Sequence, residues 1–228
     1  MCRVSPPPPF DALAARRLRE ALGMTHAHVA HGMWAAYGLR VAPGTVAAWE
    51  RGEAVPSAGE LPALAGALWC APGELLAAPT TLREHRLARG LADADVARRI
   101  GMDLASYRRA ERTGDWPGDE RQEALLGEVL ELRPAELFRL TGRAERLARL
   151  LHGAVTTRWQ AYSRPVAALV AMDRERTDTA LERLHGGYQA RMVASLSWGE
   201  GGGATAAQDA GRRFLAELVD RFWAELPP

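Results

Sequence analysis

The sequence predicts an all-α protein made of two tandem copies of one helical unit and a helical C-terminal region. Three observations carry that prediction. Apolar residues recur at separations of three and four through most of the chain, no segment alternates as a strand would, and a block near residue 23 returns near residue 90. GMTHAHVA at 23–30 and GLADADVA at 90–97 share Gly, an apolar residue, then Ala, Val and Ala at an offset of 67. Glu50 in WERG matches Glu111 in AERTG at an offset of 61, and Pro72 in APGELL matches Pro134 in RPAELF at 62. The first copy therefore holds six residues more than the second, between its Val-Ala and its glutamate.

Taken in order, the chain opens on a proline-rich arm, residues 1–9, where PPPP favours a stiff extended conformation that can reach a DNA groove. The first copy occupies 10–78. Leu18, Ala21 and Leu22 stand before Gly23, and Leu61, Leu64, Ala65 and Leu68 form a later helical stripe. The second copy occupies 79–142, with Leu125, Val129 and Leu132 at the corresponding spacing. Proline and glycine in AVPSAG, CAPG and DWPGDE mark the turns, and the connections are too short for parallel strands. Residues 143–228 read as a hairpin plus a closing helix. Their stripes are Leu147, Leu150, Leu151, Ala154 and Val155; Leu181, Leu184, Tyr188 and Met192; and Phe214, Leu215, Leu218, Phe222 and Trp223. Arg164-Pro165 is expected to break the first stripe, and the glycine-rich 197–207 segment to act as a flexible connector.

Composition narrows the classes. The 228 residues are 47% hydrophobic and 25% charged, as in globular proteins, and no apolar run approaches the ~20 residues of a membrane span. The start, MCRVSPPPPF, has no apolar segment after its arginine, so the chain reads as cytoplasmic, without membrane association. Cys2 and Cys70 have no metal-like spacing, and Cys70 reads as a small buried hydrophobe. All basic side chains are arginine, which reflects GC-rich coding and also suits phosphate contacts. The net charge of +1 is unevenly spread: residues 81–112 hold eight arginines against five acids, and residues 113–142 hold three against seven. The second copy is thus basic in its first half, as a phosphate-facing surface requires. Asp93 and Asp103 lie within that half and lower the expected affinity.

In the second copy Ala97, Gly101 and Tyr107 stand in the order small, glycine, large apolar. That order suits two helices crossing closely through a left-handed turn. With LREHRLARGLADADVARRIG, RRAERTG, RRLREALGMTHAHVA, TVAAWERG and PSAGELPALAGALWCAPGELL, the chain resembles the Cro/cI-like (XRE) helix-turn-helix family over residues 15–140. The resemblance implies tandem lambda-repressor-like DNA-binding domains, and leaves the C-terminal region without an assigned motif. It implies that Arg19 pairs with Glu50 and Arg86 with Glu111, each pair fixing one helix against another. It also implies that a helix begins at Thr25, whose hydroxyl and His26 can meet phosphate, and that Arg51 and Arg112 position the backbone. Base readout falls to Leu104, Ala105, Ser106 and Arg109, with Arg108 alongside, because arginine can bond guanine bidentately. The first copy offers Pro43, Gly44, Thr45 and Ala48 there, a poorer reading surface. Its insertion adds about one turn to the second helix and loosens the turn after it.

Other features have plainer readings. Of His26, His28 and His31, only the last two share a helix face, and no third ligand follows, so no metal is expected. Trp34, Trp49, Trp69, Trp159, Trp198 and Trp223 read as core or subunit-interface residues. No strand precedes GEGGG, which speaks against a phosphate loop. Asp93/Asp95 and Asp119/Glu120 read as helix N-terminal charges. No nucleophile has a base at recognisable spacing, so neither enzymatic activity nor a cofactor is expected. The function expected is sequence-specific binding of double-stranded DNA by a bacterial transcriptional regulator, with possible homodimerisation through the C-terminal helices. The alternative is a protein-interaction module for RNA polymerase, a toxin or another regulatory protein.

Overall fold

The computed structural model describes residues 7–197 and 203–226. It is all-α: no strand occurs among the described residues, whose one sheet-like contact is an isolated bridge between Phe10 and Leu76. No described helix is long and apolar enough to cross a membrane. The chain divides into two compact units, residues 1–131 and 132–228.

The first unit contains α1 (Ala12–Ala21), α2 (His26–Tyr37), α3 (Pro43–Glu50) and α4 (Glu60–Ala67), then a 3-10 turn at Pro72–Leu75. It continues through α5 (Leu82–Ala88), α6 (Asp93–Ile100), α7 (Leu104–Thr113) and α8 (Glu120–Leu130). Side chains start several of these helices by accepting free backbone N–H groups. Asp11 accepts from Ala14 N at 2.9 Å, Thr25 Oγ1 from His28 N at 3.2 Å, and Asp103 from Ser106 N at 2.9 Å. Asp119 and Gln122 cap α8 reciprocally. Gly38 and Gly101 end α2 and α6 with φ of 68° and 69°, a left-handed turn in which a Cβ would be strained.

The two copies fill equivalent space differently. Val29, Ala30 and Met33 of α2 are buried where α6 buries Val96, Ala97 and Ile100. On the next helix α3 buries Val46 and Trp49, and α7 buries Tyr107 and Ala110 at the matching positions. Small then large becomes large then small, so the bulky ring moves from the second position to the first and the second copy fills the pair with less volume. The insertion divides as four residues of helix, since α2 has 12 residues and α6 has 8, plus two in the following turn. The added turn of α2 carries Trp34 and Tyr37, both about half exposed.

Several expectations need adjustment. The inner face of α8 is Leu126 and Leu130, with Leu125 and Val129 only half-buried, because the helix is rotated by one position from the expected stripe. Trp49 lies in the core, but Trp34 and Trp69 are 46% and 86% exposed, Trp69 standing at the end of α4 with φ of 56°. Trp159 and Trp223 are half-buried, and Trp198 lies outside the described residues. Residues 1–6 of the proline arm also lie outside them. Its end is tied down: Pro8 is buried, and Pro9 accepts a hydrogen bond from Ala77 N at 2.8 Å.

The second unit contains α9 (Pro134–Leu140), α10 (Arg143–Thr156), a 3-10 turn at Trp159–Ala161, α11 (Ser163–Val170), α12 (Arg174–Ser197), α13 (Gly203–Ala216) and α14 (Leu218–Ala224). Leu147, Leu151, Val155, Leu181, Phe214 and Phe222 lie at its centre. The sequence repeat places α9 in the second copy, within 79–142. Its packing joins it to this unit instead: Phe138 meets Trp223 edge-on at 5.1 Å between ring centres. The expected break at Arg164-Pro165 falls earlier, after Thr156. Pro165 sits in the first turn of α11, where its missing N–H costs no helical bond. The closing helix is two helices, α13 and α14, divided at Glu217. Of the expected connector, Ser197 ends α12, 203–207 belong to α13, and 198–202 lie outside the described residues.

Candidate nucleic-acid interface

The α6–α7 pair is set by chemistry on both sides of its turn. Val96, Ala97 and Ile100 on α6 pack with Tyr107 and Ala110 on α7, all nearly inaccessible. An ion pair then fixes α7 to α5. Arg86 Nε donates to Glu111 Oε1 at 2.6 Å, a second guanidinium nitrogen donates to Oε2 at 3.0 Å, and the third donates to Leu91 O at 2.8 Å. Burial works against the Arg86 charge, but the hydrogen bonds and attraction of Glu111 outweigh it and raise its pKa. Burial also pushes the Tyr107 hydroxyl far above its ordinary range, so it stays neutral.

The first copy repeats this arrangement. Arg19 donates to Glu50 at 2.7 and 2.8 Å and to Met24 O at 2.9 Å. Burial would raise the Glu50 carboxyl, yet hydrogen bonds from Arg19 and His26 hold it below its usual range. His26 Nε2 lies 3.1 Å from Glu50 Oε2, so one ring nitrogen is turned to the buried pair while the side chain stays 37% exposed. Thr25 Oγ1 accepts the α2 capping bond from His28 N, which uses a lone pair and not its O–H.

With Tyr107 and Ala110 inward, helical geometry turns Ala105, Arg109 and Arg112 outward as one stripe at i, i+4 and i+7. All three are exposed. Arg109 and Arg112 have no ion-pair partner among the described residues, and each keeps a planar fork of donors for an incoming acceptor. Leu104 and Ser106 are half-buried at the start of the helix. Asp103 caps that start, and its carboxyl is held below the ordinary range by the Ser106 side chain and then its backbone N–H. Arg108 lies at the edge of the stripe, where its Nε donates to Asp93 Oδ2 at 2.7 Å. That bond is also the main reason the Asp93 carboxyl stays below its usual range.

The outward stripe of α3 differs in kind. Gly44, Ala48 and Arg51 occupy the positions of Ala105, Arg109 and Arg112, and Thr45 is half-buried beside them. Arg51 is clamped by Glu53 through two hydrogen bonds of 2.7 Å. The structure therefore places Ala105, Arg109 and Arg112 on one accessible face of α7, with Leu104 and Ser106 half-buried and Arg108 bound to Asp93, and pairs Arg51 of α3 with Glu53.

Sequence reasoning overlooked three of these contacts. The Arg51–Glu53 signal is an acid two residues on, within reach of the same fork. The His26–Glu50 and Asp93–Arg108 contacts join helices whose crossing angle the sequence does not state. It also passed over Arg99 and Arg121, exposed near Gly101 on a hollow of about 330 Å³. Among the described residues, no three His, Cys, Asp or Glu gather as metal ligands. Comparison of the chain with protein-family models, curated proteins and solved structures finds no match.

Proposed function

We propose that this protein is a DNA-binding transcriptional regulator with tandem Cro/cI-like helix-turn-helix domains, in which α7 lies in the major groove. The observation that carries the proposal is the α7 stripe, with Arg109 and Arg112 outward and without a salt-bridge partner among the described residues, on a helix braced by the Arg86–Glu111 pair. Arg109 is the base reader, and Arg112, one turn further on, meets phosphate. The first copy contributes little reading, since Gly44 and Ala48 offer no hydrogen-bonding side chain and Arg51 is held by Glu53. A homodimer through the C-terminal helices would bring two α7 helices to paired half-sites.

The test is selection of binding sites from random duplexes, followed by affinity measurements against salt. Arg109→Ala should lose about 1–3 kcal/mol of discrimination at one base pair. Arg112→Ala should weaken all sequences alike and make the slope shallower by about one. A slope near zero for the wild type would overturn the reading. A second reading, a protein-docking role for the first copy, is favoured by the exposed Trp34 and Tyr37 on the added turn of α2. Under it, replacing both with serine abolishes partner capture and leaves DNA affinity unchanged.

A further inference from the structure

The helix α7 offers fewer base readers than its length suggests, and elimination identifies them. Ser106 is half-buried, and its side chain is bonded to the Asp103 carboxyl, which also accepts the Ser106 N–H at 2.9 Å. The two polar side chains at the start of the helix are thus turned on each other. Arg108 is held by Asp93 at 2.7 Å. Tyr107 and Ala110 face the core, and Leu104 is half-buried. What stands free near the start of the helix is the methyl group of Ala105, exposed one turn before the Arg109 fork. The matching position of α3 is Gly44, which has no methyl group to offer.

Resting on the reading of α7 as the helix in the major groove, we infer that Ala105 is a specificity residue that recognises the C5-methyl group of a pyrimidine close to the guanine bound by Arg109. The C5-methyl group of thymine is the apolar feature of the major-groove edge, and small apolar side chains pack on it. The other groups of that edge are hydrogen-bond donors and acceptors. Ala105 can satisfy none of them, so pressing one against it removes water and supplies no partner. Four residues of α-helix rise about 6 Å, and base pairs step by about 3.4 Å. The methyl group therefore lies within about two steps of the guanine. Thymine supplies it in unmodified DNA, and 5-methylcytosine carries it at the same ring position.

The full chain and the duplex recovered by site selection test it. The base pair at which Arg109→Ala loses discrimination locates the guanine. Uracil then replaces each thymine in turn, a change that removes only the methyl group. At one thymine within that distance of the guanine, uracil should raise Kd about threefold, the worth of one buried methyl group. Duplexes with cytosine or 5-methylcytosine at the same position, each paired with guanine, should differ by a similar factor in favour of the methylated base. The uracil arm tests thymine as the source of the methyl group, and the cytosine arm tests the methylated base. Both ratios should vanish in Ala105→Gly. Any loss of helix stability in that variant is common to all the duplexes and leaves the ratios untouched. The inference is overturned if neither pair of duplexes differs near the guanine, or if the ratios persist in Ala105→Gly. Those results leave the DNA reading standing, whereas a wild-type salt slope near zero removes the reading and the inference together.

Discussion

Replacing Glu111 with alanine should destabilise the first unit by leaving the buried Arg86 charge unpaired. The Arg86 guanidinium makes three hydrogen bonds, two of them to Glu111, at 2.6 and 3.0 Å. The two side chains are only 11% and 8% exposed, so water cannot replace the lost acceptor. Each charge-assisted bond is worth about 1.5–3 kcal/mol, and leaving a buried charge unpaired costs about 3–5 kcal/mol in comparable cases. The two routes agree near 3–5 kcal/mol. Amide hydrogen exchange followed by mass spectrometry reads this unit separately from the rest of the chain. Peptides from α6 and α7 should exchange at least about a hundredfold faster in Glu111→Ala, since 1.4 kcal/mol is a factor of ten. The double change Arg86→Met/Glu111→Leu removes both charges and keeps apolar volume, and should recover most of the protection. An acceleration under about tenfold, or a double variant as unprotected as the single one, would refute the view that this pair holds α7 to α5.

Three further outcomes follow from named contacts. Asp93→Asn releases Arg108 from its 2.7 Å bond, so duplex affinity at low salt should rise and the salt slope should steepen by about 0.9, measured by fluorescence anisotropy. Gly101→Ala forces a Cβ into a turn with φ of 69° and should cost about 1–2 kcal/mol in a urea titration. For Glu50, whose folded pKa lies below its ordinary value of 4.5, stabilisation is fully present above that value and is lost as pH falls through the lowered folded one. Glu50→Gln should therefore be less stable than wild type at neutral pH, with the gap narrowing below about pH 4.5, followed by acid titration of circular dichroism.

The helical class and the duplication are readable in the chain because apolar spacing and equal offsets report on packing faces directly. The Arg19–Glu50 and Arg86–Glu111 contacts are the ones the family resemblance implied, and both partners recur in both copies. What resisted reading depends on geometry that spacing does not encode. Arg108 and Asp93 lie 15 positions apart and meet only because α6 and α7 cross at one particular angle. Pro165 looks like a break, yet a proline in a first turn leaves a helix intact, so its position within α11 had no local signal. The division between α13 and α14 at Glu217 leaves the apolar stripe running across both helices, and a stripe alone cannot show that the backbone bends.

The helix α9 belongs to the second copy by sequence pattern and to its neighbours by burial, and this matters for dissecting the protein. A fragment cut at Gly142, where the repeat ends, would carry Phe138 away from Trp223 and expose an aromatic ring to water. Cutting after Glu131 severs the duplicated pattern but leaves each hydrophobic interior whole. The repeat pattern and the packing thus place their seams at different residues, and expression trials guided by the repeat would start from the cut that strands Phe138.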